Sequence, residues 1–175
     1  MAAEGPRRPG LADLVRTGLL IGVVDGLFSS LLNVFAYHST VARLFQGVAS
    51  VLLGPTAFEG GWHTAGIGLL MHFGVAFTWS AVFLFLVLRW SRVRDLLSST
   101  AGIVTVAAVY GPLIWMVMSL IVIPALVHRP PAITMRWWIQ LLGHAPFVGL
   151  PIVASSARVS RRVDGERDAN VARTP

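Results

Sequence analysis

An all-α integral membrane protein, a bundle of four transmembrane helices, is the fold this sequence predicts, and three observations predict it. Four stretches are apolar, nearly free of charge, and close to the roughly 20 residues a helix needs to cross a bilayer. Only 13% of the 175 residues are charged and 55% are hydrophobic, whereas a soluble domain carries about 25% charged residues. All 14 basic residues are arginines, and they fall between and beyond the apolar stretches rather than within them.

Residues 1–16 form a short cytoplasmic leader with Arg7, Arg8 and Arg16. The first span is 17–37. Its apolar run is too long for a signal peptide, and no small-x-small cleavage site precedes Tyr37, so it is expected to be retained. Val41 to Phe58 follows, mixing Arg43 and Gln46 with Leu44, Phe45, Val48 and Val51 before Gly54-Pro55 stops it. That run is too short to span, and its mixed character predicts an interfacial or re-entrant helix between spans 1 and 2. The second span, 64–88, is bracketed by Trp62 and Trp90 as interface anchors. The third, 101–127, contains Pro112 and Pro124, which membrane helices tolerate when neighbours satisfy the freed carbonyls. The fourth, 138–154, is the shortest and holds Gln140, His144, Pro146 and Pro151. Residues 158–175 are polar and charged, and a cytoplasmic disordered tail is expected there.

Arginine counting sets the orientation. Arg7, Arg8, Arg16, Arg89, Arg92, Arg94, Arg158, Arg161, Arg162, Arg167 and Arg173 lie on one side, eleven in all; Arg43, Arg129 and Arg136 lie on the other. Arginine excess marks the cytoplasmic face, so the N- and C-termini are both expected there. An even number of spans satisfies that distribution without strain.

Several function classes fall away. The net charge of +6 is spread over loops rather than clustered on one surface, so nucleic acid is not an expected partner. There is no cysteine, hence no disulfide and no thiolate metal site. No H-E-x-x-H, P-loop, G-x-S-x-G or dinucleotide fingerprint occurs. No catalytic residue and no metal site are assigned.

Polar side chains at membrane depth remain, each costly enough to need a reason. Asp25 is the only acid well inside a span, about 18 Å from Tyr37 at the helical rise. His72 lies about 15 Å in from Trp62, and His144 about 9 Å from Trp138. Tyr110 falls near the middle of the third span. Asp25, His72, Tyr110 and His144 form the candidate intramembrane cluster, with Ser29, Asn33 and Gln140 in support. Gly18, Gly22, Asp25, Gly26, Ser29 and Asn33 share one helical face, and Gly22-x-x-x-Gly26 is the small-xxx-small spacing that lets backbones approach. An Asp25–His72 or Asp25–His144 pair would satisfy the buried charge. The plainer reading makes the small-residue face a packing seam and each polar group a satisfied interhelical bond.

Leu44-Phe45-Gln46-Gly47-Val48-Ala49-Ser50, then Gly54, Gly60-Gly61 and Gly66-Ile67-Gly68-Leu69-Leu70-Met71-His72-Phe73, resemble small four-span bacterial membrane proteins. Pro124, Pro130-Pro131 and Gly143-His144 are similar in layout to the YagU inner-membrane family. The resemblance spans roughly Gly18 to Arg162. It implies a bacterial inner membrane and carries over no catalytic residue.

The leading expectation is a non-enzymatic multi-pass protein acting through intramembrane contacts or as an accessory subunit. Its partners would be the lipid bilayer and another membrane protein or a second copy of itself. One alternative is a small proton-coupled channel, transporter or stress protein using the Asp/His cluster. The other is a haem- or quinone-linked redox protein with His72 and His144 as ligands. No cofactor is otherwise expected.

Overall fold

The computed structural model describes residues 10–171. Among the described residues four helices are long and apolar enough to cross a membrane: Leu11–Ala36, Gly61–Arg89, Thr100–Val127 and Met135–Arg162. No strand occurs among the described residues. The first is α1 (Leu11–Leu31) prolonged by a wide π turn over Leu32–Ala36. Next comes α2 (Val41–Leu53), started by Thr40, whose hydroxyl accepts the Arg43 amide at 3.1 Å. Thus α2 is the expected non-spanning helix. A 3-10 turn at Pro55–Phe58 leads into α3 (Gly61–Arg89), the second span. Gly54 and Gly61 bracket that turn at φ of 68° and 57°, a conformation that favours glycine.

The charged turn after α3 is itself a short helix, α4 (Ser91–Leu96). Arg94 folds back from it and donates to the Val87 carbonyl at 3.1 Å, covering an open end of α3. Ser99 caps α5 (Thr100–Val117) by accepting the Gly102 amide at 3.0 Å. A π turn at Met118–Val122 joins α5 to α6 (Ile123–Val127), so the third span bends near Pro124. The fourth span is α7 (Met135–His144), a π turn over Ala145–Gly149, and α8 (Leu150–Val171).

Here the sequence expectation needs correcting. The fourth helix is not a short 138–154 span followed by an irregular tail. It runs unbroken past the apolar stretch to Val171. The polar residues still contribute helical contacts: Ser160 bonds Asp164 one turn on at 3.3 Å, and Asp164 approaches Arg94 at 4.0 Å. Residues 172–175, the end of that expected tail, and residues 1–9 of the expected leader lie outside the described residues.

The core sits in the half of the bundle nearer the arginine-rich end. Ile21, Phe83, Tyr110, Ile114, Val148 and Ile152 pack there. Glycines make that density reachable. The main chain of His144 lies against Gly111 and that of Ala107 against Gly149, so neither helix could carry a Cβ there without moving. Leu27, Phe35, Leu70, Phe85, Ile121 and Leu142 are exposed around the outside. So much apolar surface, unusual on a protein bathed in water, suits contact with hydrocarbon.

The glycine face of α1 packs against α3, but not as a backbone-to-backbone seam. Gly18 and Gly22 receive the Phe77 and Phe73 rings, and Gly26 faces the His72 ring, which an added Cβ would meet at 3.4 Å. The close backbone approach belongs instead to Gly68 of α3, which meets the Phe45 carbonyl of α2.

Candidate intramembrane site

Away from the packed half the helices part, leaving a cleft of ≈ 930 Å³. Asp25 on α1 and His72 on α3 lie at its deep end, with Asp25 Oδ2 3.9 Å from His72 Nδ1. The other imidazole nitrogen, Nε2, makes a 2.9 Å bond with the Gly22 carbonyl across the helix interface. That bond and edge contacts with Phe45 and Phe73 fix the ring. Glycine at position 26 leaves room for the imidazole to sit against α1. The local sequence therefore places the pair, and the expected Asp25–His72 approach is present.

His144 lines the same cleft from α7, buried to 7% exposure. Its Nδ1 lies 2.7 Å from the Gln140 carbonyl, one turn back on its own helix, and its ring packs on Trp115 at 4.9 Å between centroids. Ser29, Asn33 and Gln140 also line the cleft. Asn33 is a clamp at its far end: its amide donates to the Thr40 carbonyl at 2.7 Å, and its oxygen accepts from Arg136 at 3.2 Å. The Arg136 guanidinium also lies over the Tyr37 ring, 3.7 Å from its centroid.

Tyr110 does not join this group. Its hydroxyl donates to the Trp79 carbonyl at 2.9 Å and its ring packs on Phe83, inside the apolar core. Depth along the helix places it in the right layer. The rotation of α5 turns it toward α3 and away from the cleft.

Four buried side-chain polar atoms among the described residues lack a hydrogen-bond partner: Asp25 Oδ1, Tyr37 OH, Trp115 Nε1 and Gln140 Oε1. All four residues line this cleft. Tyr37, Trp115 and Gln140 also line an adjoining hollow of ≈ 390 Å³ beside Arg129 and Pro130. The opposite walls are apolar: Val48 and Val51 of α2, Met71 and Val75 of α3, Met118 and Val122 of the third span. Three of the four spanning helices carry a π turn, at Leu32–Ala36, Met118–Val122 and Ala145–Gly149. Such widened turns recur at functional sites. Those at 32–36 and 118–122 contribute Asn33, Met118 and Val122 to the cleft wall.

Sequence reasoning missed Trp115 and Tyr37 as site residues and counted Arg136 for orientation alone. A tryptophan in mid-span is a weak flag, since packing explains most of them. A haem ligand pair fits poorly. One His72 nitrogen is bonded to Gly22 and the other faces Asp25, so of the two only His144, with Nε2 free, is placed to ligate an iron. Among the described residues no three His, Cys, Asp or Glu side chains gather as a metal site would need.

The fold and the cleft define a multi-pass helical membrane protein with a polar-floored intramembrane cavity. No protein family, no curated protein and no solved structure matches the chain.

Proposed function

We propose that this chain is a non-enzymatic multi-pass protein of a bacterial inner membrane, with both termini cytoplasmic, which works by holding another molecule through contacts in its intramembrane cleft. The observation that carries the reading is the cleft itself, ≈ 930 Å³ in volume, bordered by Asp25, Tyr37, Trp115 and Gln140 amid apolar walls. A cleft walled by hydrocarbon and bordered by a few polar side chains has the make-up of a ligand site. The eleven-to-three arginine distribution supports the orientation, and the four long apolar helices support the membrane. In that orientation the Asn33–Arg136 end of the cleft faces the outside of the cell.

A proton-coupled transporter is the second reading, favoured by the 3.9 Å approach of Asp25 and His72. Against it, Ile21, Phe83, Tyr110 and Ile114 fill the bundle between the cleft floor and the arginine-rich end. That arrangement suits holding better than passage.

The test is to block the cavity without disturbing the fold. Gly74 lines the cleft on α3, and a Cβ built there meets nothing within 4 Å. Protein purified in mild detergent should carry a stoichiometric small molecule, detected by extraction and mass spectrometry. Gly74→Trp should lose it while eluting and melting like the parent. A parent that carries nothing, or a variant that carries just as much, refutes the reading.

A further inference from the structure

We infer that the cleft holds a lipid with an anionic head, its carboxylate or phosphate at a rim formed by Arg43 and Arg136 and its hydrocarbon chain between the apolar walls. The inference rests on the cleft being a binding site and adds the chemistry of what it binds.

The rim dictates the head. Arg43 and Arg136 both line the cleft, and both are exposed. Each guanidinium lies over a ring that lines the same cleft, Arg136 over Tyr37 at 3.7 Å and Arg43 over Phe58 at 4.6 Å from the centroid. A ring face attracts the cation but offers no lone pair, so the N–H fork that fits a carboxylate or phosphate is not used up. The placement is built in. Asn33, only 6% exposed, accepts from Arg136 at 3.2 Å and donates to the Thr40 carbonyl at 2.7 Å, and the Thr40 hydroxyl accepts the Arg43 amide at 3.1 Å. One chain of bonds therefore joins α7, the end of the first span and the start of α2, and both arginines stand on it.

The charge at this rim has one sign. The ion pairs among the described residues are Asp25–His72 and Arg94–Asp164, so neither rim arginine has a carboxylate partner. Glu59, next to Phe58 in the chain, does not line the cleft. Asp25 does, but it lies about 12 Å from Asn33 along the first span at the helical rise. A cationic head would meet two like charges, and a neutral one would leave both without a counter-charge.

The walls dictate the body. Leu44, Val48, Val51, Met118, Val122 and Leu126 offer hydrocarbon along the cleft. Its ≈ 930 Å³ stands near the upper end of small-molecule sites, which run to about 1,000 Å³. That is room for a chain and not for a head alone. Trp138, two residues from Arg136 and half-exposed, marks the level where a bilayer lipid keeps its head. A lipid seated here keeps the orientation it has in the membrane, head at the interface and chain toward the middle. Arginine beside tryptophan recurs at the other end of the bundle, where Arg89, Trp90 and Arg92 border a hollow of ≈ 510 Å³. That hollow is lined by consecutive residues of one turn, with no apolar cleft behind them, and it serves as the control.

The experiment uses purified full-length protein in a non-ionic detergent at mildly alkaline pH, where a fatty acid is ionised. Tritium-labelled palmitate is the probe and labelled hexadecanol its neutral counterpart; palmitoyl-lysophosphatidylglycerol and palmitoyl-lysophosphatidylcholine compete as the anionic and zwitterionic phosphate lipids. Palmitate is expected to bind saturably and at least about tenfold more tightly than hexadecanol, the effect of one charge-assisted contact. The phosphatidylglycerol form should displace it at lower concentration than the phosphatidylcholine form, and acetate or inorganic phosphate, which lack the chain, should not displace it. Arg136→Gln and Arg43→Gln should each weaken palmitate about tenfold, while Arg136→Lys keeps most of the affinity and Arg89→Gln binds like the parent. Gly74→Trp should abolish binding. Equal affinity for hexadecanol overturns the anionic head. Parent-like binding by both Arg43→Gln and Arg136→Gln, or an equal loss in Arg89→Gln, overturns the rim, and displacement by acetate or phosphate overturns the chain. A copurifying molecule that is cationic, or has no hydrocarbon chain, leaves the binding reading standing and sinks this one. No binding by any probe, with nothing copurifying, sinks both.

Discussion

Replacing single glycines by alanine tests the packing directly, because the same methyl group should act with different sign at three positions. At Gly74 the new Cβ enters open space. Only the gain in helix propensity remains, about 0.8–1.0 kcal/mol of stabilisation. At Gly22 the methyl collides with the Phe73 ring. A ring can turn or shift a little, so an overpacking cost of about 1–3 kcal/mol, set against the same propensity gain, leaves roughly 0–2 kcal/mol of destabilisation. At Gly68 the obstacle is main chain: the added Cβ would collide with the Phe45 carbonyl and lie 3.0 Å from the Ala49 amide nitrogen. No rotamer change relieves that clash. The cost should sit at the top of the overpacking range, a net loss of about 2 kcal/mol or more, with α2 pushed off α3. The assay is reversible unfolding of the purified protein in mixed micelles of rising sodium dodecyl sulfate content, followed by circular dichroism. The order expected is Gly74→Ala above parent, Gly22→Ala at or below it, and Gly68→Ala lowest. If Gly74→Ala loses as much stability as Gly68→Ala, or Gly68→Ala unfolds with the parent, the assignment of open and closed helix faces is wrong.

Two further outcomes follow from the same structure. Thr64→Val keeps the shape but removes the 2.6 Å bond from its hydroxyl to the Ala57 carbonyl, inside a turn where Gln46 also bonds the Gly61 carbonyl at 2.9 Å. Loss of that buried bond should lower unfolding stability by about 1–3 kcal/mol, and an unchanged midpoint would contradict the bond's role. For orientation, alkaline phosphatase fused after Ser39 or Pro130 should be active and fusions after Ser98 or Gly165 inactive; the opposite pattern would invert the molecule in the membrane.

Much of the architecture was legible because lipid imposes simple rules. Uncharged runs of sufficient length must become helices, so Gly61–Arg89 and Thr100–Val127 end within a few residues of where composition and Trp62, Trp90 and His128 mark them. The fourth span was misjudged because hydropathy ends near Ala154 while the helix does not. Backbone hydrogen bonding continues wherever nothing breaks it, and no proline or helix-ending turn interrupts Ala154 to Val171. In the site, Asp25 and His72 were findable because cost at membrane depth and a shared glycine face both pointed to them. Tyr110 shows the limit of that reasoning. Depth follows from counting residues, but direction follows from helix rotation, which counting does not give. Glycines raise the same difficulty. Gly68 and Gly74 look alike in sequence, yet one is pressed against a carbonyl and the other faces a void.

The contact of Gly68 with the Phe45 carbonyl bears on how the molecule moves. At that point the two helices touch through their main chains, so sliding is opposed there by backbone that no side-chain rotation can move aside. The α2–α3 pair is in that sense a fixed jaw. Any widening or narrowing to admit a guest falls to the facing jaw, where the Met118–Val122 turn and Pro124 interrupt the regular ladder of bonds and let the third helix flex about its own middle.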